Sequence, residues 1–66
     1  MLSWMVIYPR GNRSILDIAQ VRDYEKDDWA LASRRTFYDE AECREYMIEL
    51  ANENNLRYAG QQSYLD

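Results

Sequence analysis

The stretch whose reading decides the fold is Asp39-Glu40-Ala41-Glu42-Cys43-Arg44-Glu45-Tyr46-Met47-Ile48-Glu49-Leu50-Ala51-Asn52-Glu53-Asn54-Asn55. Asp39 is placed to accept backbone N–H groups that have no partner inside a helix. Glu42, three residues on, is placed to reach back to the cap, so the start reads as an acidic capping box. Carboxylates in the first turn also suit the positive end of the helix dipole. At about 3.6 residues per turn, Cys43, Tyr46, Met47, Leu50 and Ala51 share one side, Asn54 lies at its edge, and Ile48 falls on the far side. Asn55 tolerates the left-handed conformation that ends a helix, after which Leu56 can fold back onto Leu50 or Ala51. The pattern predicts one amphipathic helix over 39–55.

The outward side of that helix is unusual. Glu42, Glu45, Glu49 and Glu53 recur at spacings of three, four and four residues. At about 1.5 Å rise per residue they form a ridge about 16 Å long, with about 5 Å between charges. Like charges so placed repel by about 0.2–0.5 kcal/mol per pair. Glu40 with Arg44 and Glu53 with Arg57 are positioned to return part of that. The ridge has two readings, a solvated face or a surface that meets a basic partner.

Outward from the helix, Trp4 to Tyr8 is continuously apolar and rich in strand formers, which suits a central strand covered on both faces. Pro9-Arg10-Gly11-Asn12 supplies turn chemistry. Ser14 to Tyr24 is ambiguous. As a strand it puts Leu16 and Ile18 on one face and Ile15, Ala19 and Val21 on the other. As a helix capped by Ser14, with Asp17 as its box partner, it leaves Leu16 and Val21 off the stripe. The hairpin-length turn before it favours the strand. Glu25-Lys26-Asp27-Asp28 reads as a charged turn. Trp29 to Phe37 alternates, with Trp29, Leu31, Ser33, Arg35 and Phe37 on one side, and Trp29, Leu31 and Phe37 are expected beneath the helix. Leu56 to Ala59 adds a short edge strand, and residues 61–66 read as a flexible tail. The expected fold is a small α+β domain over residues 1–60. It is a three-stranded antiparallel β-meander with one amphipathic helix packed on one face, ββ(β)α, closed by that edge strand.

Composition sets limits on stability and function. Sixty-six residues, 47% apolar and 30% charged, describe one globular unit rather than a disordered chain. A chain this short buries only about 60% of the surface its unfolded form exposes. Aromatics reach 14%, more large rings than a small core needs, and Tyr and Trp are enriched where proteins meet. A homodimer would also relieve the small core. Cys43 is the only cysteine. It makes no internal disulfide, lies on the inward face as a small hydrophobe, and fits a reducing, cytoplasmic setting. No apolar run approaches the roughly 20 residues of a membrane span, and the Met1-Leu2-Ser3-Trp4 start lacks the basic region of a signal peptide. The net charge of −4 is uneven: residues 1–37 hold six basic and five acidic side chains, residues 38–66 two and seven.

Catalytic chemistry is sparse. The chain has no histidine and one cysteine, which removes the commonest general base and the usual zinc ligands. Gly11 and Gly60 are the only glycines, too few for a phosphate loop, and Ser3, Ser14, Ser33 and Ser63 have no nucleophile context. Asp27-Asp28 lacks the spaced ligands of a calcium loop. No enzyme activity, cofactor or metal is expected.

In length and acidity the chain is similar to small phage- and mobile-element-encoded proteins that bind and block a host machine, anti-CRISPR inhibitors among them. The likeness is one of scale and charge, and no motif residue carries over. With it, the leading expectation is a non-enzymatic protein-interaction module with no membrane role. Glu42, Glu45, Glu49 and Glu53 would occupy a basic groove on a nucleic-acid-handling protein, with Tyr38 or Ile48 as an apolar anchor. The alternatives are a homodimerising structural domain and a sheet-face binder of single-stranded nucleic acid. The latter would use Arg10, Arg13, Arg34, Arg35 and Trp29, with Trp4 and Tyr8 nearby. The chain's acidity opposes it.

Overall fold

A computed structural model describes residues 1–61; of the tail expected over 61–66, Gln61 is tied back through its N–H to Tyr58 O at 3.1 Å, and 62–66 lie outside the described residues. The continuous apolar run becomes β1 (Leu2–Ile7) and the ambiguous segment is a strand, β2 (Ile15–Arg22). They pair antiparallel from Leu2 opposite Arg22 to Ile7 opposite Asp17. The connection is a tight 3-10 turn over Pro9–Gly11. Gly11 N–H donates to Tyr8 O and Asn12 N–H to Pro9 O, both at 2.9 Å. This geometry needs a left-handed residue at position 10, and Arg10 takes it, with φ 54° and ψ 25°.

The other edge of β1 carries the segment 30–37, not a free edge. Tyr8 N–H donates to Ala30 O at 2.8 Å and Ala32 N–H to Val6 O at 2.9 Å. Trp4 and Phe37 exchange two bonds, at 2.7 and 3.0 Å. Both neighbours of β1 therefore run antiparallel to it and parallel to each other. The chain leaves β2 at the Leu2 end of the sheet and re-enters beside Tyr8 at the opposite end. Residues 23–29 must cross a sheet face to do so, and most of that path is a 3-10 stretch, Asp23–Asp28.

This corrects the antiparallel meander. Residues 30–37 do not hairpin back onto β2, because the connection is long enough to cross β1. Nor do they form one continuous strand. Leu31 pairs with Ile7 and Phe37 with Trp4, so the six steps from Leu31 to Phe37 answer three on β1. The excess is taken up at Ser33–Arg35, where the Ser33 hydroxyl oxygen accepts Arg35 N–H at 3.1 Å. Such an insertion resets side-chain parity. Ala32 and Phe37 thus both reach the cluster under the helix, while Trp29 and Leu31, expected there, do not join it.

The helix α1 (Glu40–Asn54) starts where the cap predicts, with the Asp39 carboxylate accepting Glu42 N–H at 3.3 Å. It ends on Asn55 at φ 56°, with Leu56 N–H donating to Ala51 O at 2.9 Å. The chain then forms β3 (Arg57–Tyr58), which pairs with Ile15 and Leu16 of β2 in parallel. The sheet is therefore mixed, a second departure from the meander, since a strand reached through a helix crossing the sheet returns parallel.

Each face of the sheet has a cover. Under α1, Val6, Leu16, Ile18 and Phe37 meet Cys43, Met47 and Ala51 in one cluster. On the other face Ser3, Met5, Ile7 and Val21 are buried as well, beneath the 23–29 crossing that the pairings require. Fully burying a side chain such as Met5, Leu16 or Met47 contributes about 1.5–3 kcal/mol.

Candidate protein-binding face

α1 turns Cys43, Met47 and Ala51 fully inward. Tyr46 and Leu50 lie half-buried on one flank and Ile48 half-buried on the other, all packed against the core. The position expected of Ile48, facing away from the core, is thereby corrected. The buried line runs through Met47, and at about 100° per residue Ile48 is only about 100° from it. Tyr38, just ahead of the cap, is 72% exposed.

The expected ridge is present. Glu42, Glu45, Glu49 and Glu53 are all exposed on one helix. Among the described residues the ion pairs are Lys26–Asp23 at 3.6 Å, Arg34–Asp27 at 3.3 Å and Arg44–Glu40 at 3.2 Å. None includes a ridge carboxylate, and the expected Glu53–Arg57 pair is not formed.

Beside the ridge, a shallow cleft of about 270 Å³ is lined by Arg35, Phe37, Glu42, Glu45, Tyr46 and Glu49. Its floor is aromatic: the Phe37 and Tyr46 centroids are 5.3 Å apart at 41°. The Arg35 guanidinium lies 5.0 Å from each ring, and the Tyr46 hydroxyl is 3.2 Å from the Ser33 hydroxyl. The sequence reading missed this cluster. A signal existed, since alternation put Arg35 and Phe37 on one side and helical spacing turned Tyr46 inward.

The cations considered for nucleic acid do not converge. Arg10 is exposed at the turn. Arg13 lies 5.1 Å over the Tyr8 ring, Arg34 pairs with Asp27, and Arg35 sits on its two rings. Trp29 is half-buried. Apolar residues are buried on both faces of the sheet.

Cys43 has 0% exposure. Burial pushes its thiol up to about 11, partly opposed by the Arg44 charge, so it is held as an inert thiol rather than a nucleophile. Among the described residues no group of three or more Cys, Asp or Glu side chains is arranged to hold a metal ion, and no helix is long and apolar enough to cross a membrane. Comparison with protein-family models, curated proteins and solved structures finds no match to this chain.

Proposed function

We propose that this chain is a non-enzymatic interaction module that docks on the basic surface of a protein partner through Glu42, Glu45, Glu49 and Glu53, with Tyr38 as the exposed aromatic contact. The observation that carries this reading is the alignment of unpaired charge. Asp23, Asp27 and Glu40 each pair with a cation, whereas the four ridge carboxylates line one exposed helix face with none. The nearest arginine of the cleft is committed to two aromatic rings. Four carboxylates left in a row repel one another, and a cationic partner relieves that repulsion.

A groove built for nucleic acid is one basic surface of the right kind, and occupying it would make the chain an inhibitor of the phage or mobile-element type. Duplex DNA carries a charge about every 1.7 Å along its axis, denser than this ridge. Electrostatics therefore steer the encounter, and apolar contact at Tyr38 must supply part of the affinity. The test is capture from host lysate by the wild-type chain and by a variant with all four glutamates changed to glutamine, folded by circular dichroism. Loss of the captured protein in the variant supports the reading; equal capture removes the ridge from the mechanism.

A further inference from the structure

The outer edge of β2 is only partly used. Trp4 gives both its backbone groups to Phe37, so the facing Trp4–Gln20 pair exchanges no ladder bonds. The even-numbered residues of β2 accordingly point their N–H and C=O groups away from β1. Leu16 O is taken by Ala59 N–H at 2.9 Å, but β3 ends at Tyr58 and reaches no further up β2 than Leu16. Beyond it, two of the outward donors are occupied by carboxylates of their own chain. Ile18 N–H donates to Asp17 Oδ1 at 2.7 Å and Arg22 N–H to Glu25 Oε1 at 3.0 Å. Among the described residues, Gln20 N–H, Gln20 C=O and Ile18 C=O have no partner.

We propose that this edge, Ile18 to Arg22, pairs antiparallel with the same edge of a second copy about a twofold axis through Gln20. The proposal is independent of the acidic ridge. An exposed strand edge is a template for another strand, and this one is self-complementary in length and charge. Gln20 faces Gln20 of the second copy, and Ile18 faces Arg22 of the second copy, with no like-charge confrontation between them. The chain turns off the sheet at Asp23 into its 3-10 stretch, which leaves room at that level for β3 of the other copy. The one adverse meeting, Asp17 with Asp23 of the second copy, falls at the two ends. Asp17 thus guards the edge twice, by capping Ile18 N–H and by repelling its counterpart.

Sedimentation equilibrium of the full chain, from micromolar to millimolar loading, tests this with three variants. The wild type is expected to show a concentration-dependent dimer. Asp17→Ala uncaps the edge and removes the repulsion, and should tighten the dimer several-fold. Gln20→Pro deletes the free donor without costing a bond to β1, and should abolish the dimer while keeping the circular dichroism of the fold. Should that variant unfold, Gln20→Lys places two cations on the axis and should weaken the dimer several-fold. A wild-type chain that is monomeric throughout overturns the proposal. A dimer indifferent to Gln20→Pro and Gln20→Lys overturns it as well.

Discussion

The Arg35 guanidinium lies 5.0 Å from the Tyr46 ring centroid, although Glu42, Glu45 and Glu49 line the same cleft. Arg35 also lies 5.0 Å from Phe37, so one side chain joins the broken edge segment to α1 through both rings. A cation–π contact contributes about 0.5–1 kcal/mol at an exposed site. Arg35→Ala should therefore lower the unfolding free energy by roughly 1–2 kcal/mol for the two contacts together, measured by urea denaturation. A loss below a few tenths would mean that the stack adds nothing to folding.

Arg10 holds φ 54° in the turn between β1 and β2. A side chain in the left-handed region costs about 1–2 kcal/mol. Glycine removes that cost but loses more backbone freedom on folding, about 0.5–1 kcal/mol. Arg10→Gly should stabilise the chain by a net of roughly 0.5–1 kcal/mol, read as a higher urea midpoint with unchanged slope.

The Ser3 hydroxyl is buried without a hydrogen-bond partner, in a residue only 2% exposed. Removing a buried hydroxyl that makes no bond discards its desolvation cost and leaves only a small packing loss. Ser3→Ala should leave stability unchanged or raise it by up to about 1 kcal/mol, visible as an equal or higher melting temperature.

Cys43 has its thiol raised from 9.0 to about 11. Below pH 9 the thiol is protonated in folded and unfolded chains alike, and it adds no pH dependence. Between 9 and 11 the unfolded chain releases the proton first, so stability falls as pH rises through that window, by roughly 2–3 kcal/mol in full. The difference in unfolding free energy between wild type and Cys43→Ala should shrink by that amount over the window. A constant difference would contradict the assignment. In native buffer the thiol should also react slowly with a disulfide reagent and promptly once the chain is denatured.

The helix was legible because its information is local. Asp39 and Asn55 are the groups that close the two ends, the expected return bond from the Glu42 side chain not being formed, and the 3.6-residue spacing turns Cys43, Met47 and Ala51 inward. β1 was legible for the same reason, as an uninterrupted apolar run needs cover on both faces. The sheet order was not. It depends on whether residues 23–29 turn back or cross over, and charged turns and 3-10 crossings share the same residue types. Phe37 was placed correctly beneath the helix, but the parity of Trp29 and Leu31 relative to it depended on where three surplus residues would loop out, which alternation alone does not mark. The acidic ridge followed from spacing. The aromatic seat of Arg35 required the helix and the edge segment to be placed against each other, which is tertiary information. Ile48 was misplaced by a small rotation of the helix about its axis.

In the proposed function, the ridge glutamates carry recognition of a basic partner. The most direct measurement is the dissociation constant for the captured partner as a function of salt, by fluorescence anisotropy, for wild type and the four-glutamine variant. The wild-type affinity should weaken steeply as salt rises, and the variant should bind more weakly with a much shallower salt dependence. Superimposable curves for the two proteins would contradict it.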